Sequence, residues 1–117
     1  MSRAAIDPAA GEWADTICHT GQLWRWTSAN SAAAWFFVTI DGEAGEALSA
    51  IALMRRLESG RRGGFGSVKV QARIGNSEFA TSVFPSNDTG WMLPVKVSVR
   101  KAEGLSEGSQ VTVTLKV

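Results

Sequence analysis

The feature that most constrains the fold is a two-residue periodicity on either side of a short turn, within residues 63–84. Four apolar residues alternate with single polar residues, as in a β-strand that buries one face and exposes the other. These four are Val68, Val70, Ala72 and Ile74. The dipeptide Gly75-Asn76 that follows supplies the positive φ of a two-residue hairpin turn. The segment is therefore predicted to be a β-hairpin.

The turn also fixes which residues face one another across the hairpin. If Ile74 lies opposite Ser77, the remaining pairs are Arg73 with Glu78, Ala72 with Phe79, Val70 with Thr81, and Val68 with Val83. Each pair is chemically compatible, and cross-strand pairs contribute about 0.2–1 kcal/mol each. A slip of one residue would expose Phe79 and Val83 to water, so the register is strongly specified.

The other segments alternate between strand and helix patterns. We predict strands at 18–27, 35–40 and 111–117, a helix at about 42–58, a short helix at about 95–103, and loops at 28–34 and 85–90. This order indicates a mainly β (α+β) fold, a small antiparallel barrel that is closed or split, because closure removes exposed strand edges. Residues 1–15 are expected to form a flexible tail before a single domain at 16–117.

Three details of this scheme are specific enough to test. The apolar run at 35–40 is expected to be covered on both faces. Pro94 is expected at the first position of the short helix, where its missing N–H costs nothing. The long helix is expected to bury one apolar stripe, with Leu53 and Leu57 outside it and available to a loop or a partner subunit. The stripe consists of Ala44, Ala47, Leu48, Ile51 and Met54.

Charge and composition exclude several classes of protein. Twelve basic residues against eleven acidic ones give a net charge of +1, which gives no support to nucleic acid or an anionic membrane as the main partner. The single cysteine, Cys18, adjoins the single histidine, His19, and no metal or cofactor is expected. No apolar run approaches the roughly 20 residues that cross a bilayer. We expect a cytoplasmic protein, monomeric or homodimeric.

Six motifs together resemble a known bacterial family. They are LWRW (23–26), WFFVT (35–39), GFGSV (64–68), TSVFP (81–85), LPVKVSVR (93–100) and AEGLSEG (102–108). Their order and content resemble the family of domain of unknown function 1905, from about residue 16 to the C-terminus. The resemblance implies a small β-barrel fold and no established activity.

Residues 94–117 also resemble the ending of swapped-hairpin transcription factors of the AbrB and MazE type, which bind DNA as dimers. The corresponding alternative function is nucleic-acid binding by seven basic side chains. These are Arg61, Arg62, Lys69, Arg73, Lys96, Arg100 and Lys101. Such binding should strengthen steeply as salt falls. The long helix and the near-neutral charge distinguish this chain from those factors.

We expect the protein to be a non-catalytic module that binds a small molecule or a protein. Aromatic faces beside a guanidinium suit planar or anionic ligands, and Trp24, Arg25, Trp26 and Trp35 bring these groups together within a dozen residues. The alternative is that these rings belong to the core. An enzyme is the third and least favoured hypothesis, because the sequence places no nucleophile at a known spacing from a base. The candidate ligand-binding residues are Arg25, Trp26, Trp35, Lys96 and Arg100.

Overall fold

A computed structural model describes residues 15–27, 29, 34–59, 66–86 and 90–117. The elements in chain order are β1 (Thr16–Thr27), β2 (Ala34–Ile40), α1 (Gly42–Ser59), β3 (Val68–Ile74), β4 (Ser77–Pro85), β5 (Trp91–Pro94), α2 (Val97–Glu103) and β6 (Gln110–Lys116). The predicted tail up to residue 14, the basic residues Arg61 and Arg62, and parts of the two predicted loops lie outside the described residues.

The six strands form a closed barrel in the order β1-β2-β5-β4-β3-β6, and every neighbouring pair is antiparallel. β1 pairs with its two neighbours along different parts of its length: residues 16–22 pair with β6, and residues 23–27 pair with β2. The predicted mainly β, antiparallel fold is confirmed, and the barrel is closed rather than split. Closure pairs every strand with two neighbours, although β4 and β5 share only two register pairs.

The hairpin of β3 and β4 has the predicted register. All five predicted pairs are present, from Ile74 opposite Ser77 to Val68 opposite Val83. Phe79 and Val83 are buried, as are the four alternating apolar residues of β3. Gly75 has a φ of 59°, the left-handed conformation that the turn requires.

Side chains that alternate along the strands fill the barrel with aliphatic residues. Those buried most completely are Leu23, Val38, Ile40, Val70, Ala72, Val83, Leu93, Val111, Val113 and Leu115. Helix α1 contributes the fully buried Leu48 to this core, and the neighbouring Ser49 Oγ accepts a hydrogen bond from Trp91 Nε1 at 3.0 Å. The helix is thereby attached to β5 by both apolar packing and a polar contact.

The segment around Pro94 differs from the sequence prediction. Pro94 is the last residue of β5, in register with Phe37 of β2, and does not begin a helix. Val95 continues along β2 by donating its N–H to the Phe36 carbonyl oxygen at 2.9 Å, and Lys96 is extended. Helix α2 therefore begins at Val97 instead of residue 95, because this pairing with β2 keeps the backbone extended through Lys96.

Two burial predictions also need correction. β2 is not covered on both faces, since Trp35 is 55% exposed. In α1 the stripe packs against the core only as far as Ile51 and Ala52, and Met54 is exposed together with Leu53 and Leu57. The buried stripe ends where the later turns of α1 no longer lie against the core. Within the described residues, neither helix combines the length and apolar character that a membrane span requires.

Candidate functional site

A groove lies where β5 and β4 separate. Only two register pairs join these strands, Phe84 with Met92 and Pro85 with Trp91, whereas β3 and β4 share seven. After these two pairs, the segment that contains β5 continues beside β2 as far as Val95 and then forms α2. The space between has a volume of about 610 Å³. It is lined by residues 34–36 of β2, residues 79–81 of β4, residues 94–97 and Arg100.

Arg100 is held in a fixed orientation at this groove. Its guanidinium carbon lies 3.8 Å from the centroid of the Phe36 ring, and its Nε donates to the Val95 carbonyl oxygen at 3.2 Å. No carboxylate of the described residues lies within ion-pair distance of it. Its two terminal nitrogens bond to no other described residue, and one face of the guanidinium is already stacked on a ring.

Lys96 lines the same groove from the extended segment before α2. Its Nζ lies 5.9 Å from the centroid of the Phe79 ring, and it makes no ion pair with any described residue. Thr81 adds one hydroxyl, and none of the described residues that line the groove is acidic. The groove thus combines two cations with aromatic walls, which makes it attractive to anions.

A second cavity, which we call the aromatic pocket, lies on the outer face of the barrel next to the groove. It has a volume of about 440 Å³ and is lined by Trp24, Trp26, Trp35, Phe37 and Met92. Trp26 is 48% exposed and Trp35 is 55% exposed, so the alternative that all three tryptophans are core residues is wrong for these two. Trp35 also lines the groove, so it forms a wall common to both cavities.

The candidate residues from the sequence are only partly brought together. Trp35, Lys96 and Arg100 line the groove, and Trp26 joins Trp35 in the aromatic pocket. Arg25 is exposed, lies opposite Phe36 in the β1–β2 register, and lines neither cavity. Strand alternation directs it to the other side of β1 from its two tryptophan neighbours.

Several residues of the two cavities were absent from the sequence prediction. Phe36, Phe79 and Thr81 line the groove, and Phe37 and Met92 line the aromatic pocket. The alternation of Trp35 and Phe37 along β2 could have placed both on one face. No local signal relates β4 to α2, because that contact arises only when the barrel closes.

One polar pair elsewhere bears on catalysis. His19 Nε2 lies 3.5 Å from Asp41 Oδ1, which is the kind of histidine–carboxylate contact that would support an enzyme. His19 is largely buried, Asp41 is exposed, and neither lines the groove or the aromatic pocket. Among the described residues, no three histidine, cysteine, aspartate or glutamate side chains cluster as metal ligands would.

These features define a small closed antiparallel β-barrel with a cationic groove and an aromatic pocket side by side on its surface. Its sequence matches the family described as Domain of unknown function (DUF1905) over residues 19–115 of 117. The chain belongs to this family, which confirms the resemblance noted in its motifs. No curated protein matches the sequence.

Proposed function

We propose that the protein is a non-catalytic binding module whose groove takes a small ligand with an anionic group, a phosphate or a carboxylate. The observation that carries this proposal is the orientation of Arg100. A guanidinium that is stacked and anchored before the ligand arrives loses little side-chain entropy on binding. Its two terminal nitrogens, which have no partner among the described residues, suit bidentate contact with a planar or tetrahedral oxyanion.

The composition of the groove supports binding more than chemistry. Among the described residues, its lining offers two cations, one hydroxyl and apolar walls, and no histidine, cysteine or carboxylate to act as a general base or nucleophile. The His19–Asp41 pair lies apart from these residues. A mostly apolar cleft with a few converging polar groups is typical of small-molecule sites.

The test is to replace Arg100 and measure anion binding by isothermal titration calorimetry with inorganic phosphate, ribose 5-phosphate and citrate. Arg100→Gln should weaken the binding of any anion that occupies the groove by about tenfold or more, since charge-assisted hydrogen bonds contribute about 1.5–3 kcal/mol. Arg100→Lys should recover only part of this loss, because an ammonium group cannot make the planar bidentate contact.

Lys101→Gln is the matched control. Lys101 is the next residue of α2, is exposed, and does not line the groove, so its replacement removes the same charge from the same helix. Anion affinity should stay within about twofold of the unmodified protein, since exposed charges contribute little. Equal losses in both variants, or no anion binding at millimolar concentrations, would contradict the proposal.

A second candidate function is the binding of single-stranded nucleic acid. The observation that favours it is the position of two exposed tryptophans, Trp26 and Trp35, beside Lys96 and Arg100. Surfaces that bind single strands combine aromatic rings for base stacking with cations for the backbone. Of the other basic residues considered, Arg73 lies opposite Glu78 on the hairpin, and neither it nor Lys69 lines the groove. Because few cations reach the groove, binding should be weak and should weaken further as salt is raised.

A further inference from the structure

The aromatic pocket is built from two cross-strand pairs on the outer face of β1 and β2, Trp24 opposite Phe37 and Trp26 opposite Trp35. The first pair is fixed. The Trp24 and Phe37 ring centroids are 5.1 Å apart with an interplanar angle of 35°, and Trp24 Nε1 donates to Thr39 Oγ1 at 2.8 Å. The second pair is open, because both of its rings are about half exposed.

The walls of this pocket present ring faces to any ligand that enters it. Its lining consists of four aromatic side chains and one methionine, and the Trp24 indole N–H already has a partner. Aromatic faces bind flat rings by offset stacking, and they also bind ammonium groups by cation–π attraction. The pocket alone therefore fits either a planar ring or a methylated cation.

The surrounding charge decides between these two ligands. Trp35 separates the pocket from a groove that contains Lys96 and Arg100, and in the part of the chain that the structure describes no acidic residue lines either cavity. Two positive charges next to the pocket repel a cation and attract a ligand that carries a negative group. Because the Trp35 side chain stands between the cavities, the ring and the negative group must be separated by a spacer.

We propose that the aromatic pocket takes the heteroaromatic ring of a nucleotide whose phosphate lies in the neighbouring groove at Arg100. The sugar of a nucleotide is the spacer that the shared wall requires. The nucleotide can be free or part of a single strand, since both present the same ring and phosphate. This inference rests on the proposed anion-binding function of the groove and adds the class of ligand.

The experiment compares three probes by calorimetry: adenosine 5′-monophosphate, ribose 5-phosphate and adenosine. The monophosphate should bind about 5- to 150-fold more tightly than ribose 5-phosphate, which is the range that one stacked base contributes. Trp26→Ala should reduce this advantage by about fivefold or more and leave ribose 5-phosphate within about twofold. The selective loss distinguishes a stacking role for Trp26 from a general effect on folding.

Phe84→Ala is the matched control, because Phe84 is an exposed aromatic residue on the outer face of β4 that does not line the pocket. It should leave the affinities of all three probes within about twofold. If the monophosphate binds no more tightly than ribose 5-phosphate while both depend on Arg100, the ring site is overturned and the groove proposal stands. If ribose 5-phosphate binding does not depend on Arg100, the groove proposal fails as well.

A four-nucleotide single strand distinguishes the two sources of the ligand. Affinity for the strand well above that for the free nucleotide, with a steep loss as salt is raised, supports a single-stranded nucleic acid as the ligand. Equal affinities support a free nucleotide. Failure of both the strand and the free nucleotide to bind overturns the inference.

Discussion

Gly75 illustrates at the scale of one residue how the hairpin turn and α2 depend on each other. Two independent features favour glycine at this position. The φ of 59° is left-handed, and a Cβ would also collide with the Glu103 carboxylate at the end of α2. That carboxylate accepts a hydrogen bond from Ser77 Oγ at 2.7 Å. The turn therefore holds α2 in place through a contact that any side chain at residue 75 would displace.

We expect Gly75→Ala to destabilise the protein by about 2–4 kcal/mol in urea unfolding. About 1–2 kcal/mol of this comes from the left-handed backbone, and the remainder comes from losing the hydrogen bond to a charged acceptor. Gly104→Ala is the control for the backbone part alone, because Gly104 has a φ of 66° and open space around a built Cβ. In a Ser77→Ala background the excess cost of Gly75→Ala should disappear, and an unchanged excess would contradict the role of Glu103.

The residues of the candidate site were only partly predictable from the sequence. Trp26 and Trp35 were proposed from the sequence as ligand-binding residues, with a core position as the alternative, and both are exposed. The expectation that the apolar run at 35–40 is covered on both faces was wrong for Trp35, because alternation along a strand places it outside the barrel. Phe36 and Phe79 could not be assigned to the groove, since each contacts a cation of the 94–100 segment only after the barrel has closed. Arg25 was grouped with the tryptophans by proximity in sequence, which in a strand places neighbours on opposite faces.

At the scale of whole elements, local patterns predicted the hairpin and failed for β5. The hairpin needs only its alternation and its turn, and both are contiguous in sequence. β5 has four residues, Trp91–Pro94, and ends in a proline that is equally typical of a helix start. What makes it a strand is its pairing with β2, which is some fifty residues earlier in the chain.

Helix α1 provides an internal comparison of buried and exposed leucines. Leu48 is fully buried in the barrel core, whereas Leu57 is 68% exposed on the same helix. Leu48→Ala should cost about 2–5 kcal/mol, because the cavity that it leaves cannot be filled by the surrounding strands. Leu57→Ala should change stability by about 0.5 kcal/mol or less. Urea denaturation followed by circular dichroism measures both, and equal losses would show that α1 packs differently.

For the molecule as a whole, the barrel is held unevenly around its circumference. β6 pairs with β1 through seven register positions and with β3 through four, so it is enclosed on both sides. The β4–β5 junction has only two. In a closed barrel each strand is stabilised by hydrogen bonds to both of its neighbours. Local opening is therefore expected to begin between the two strands that share the fewest hydrogen bonds.

Native-state hydrogen exchange should reveal this difference. Hydrogen-bonded backbone amides of Val113 and Leu115 in β6 should exchange only through global unfolding. Hydrogen-bonded amides at the β4–β5 junction, near Phe84 and Met92, should exchange through a local opening of lower free energy. Their exchange rates should therefore respond less to low concentrations of urea. Equal urea dependence at both places would show that the barrel opens as one unit.

The weak junction also determines how a binding partner of the groove can be found. One wall of the groove comes from β4, and the other comes from β2 and the 94–100 segment, which the backbone leaves unjoined at that point. A compound that contacts both walls supplies the missing connection and should raise the melting temperature, by an amount that grows with the logarithm of the ratio of its concentration to its Kd. Heating the protein with a library of metabolites is therefore a direct route to the natural ligand, even before its chemistry is known.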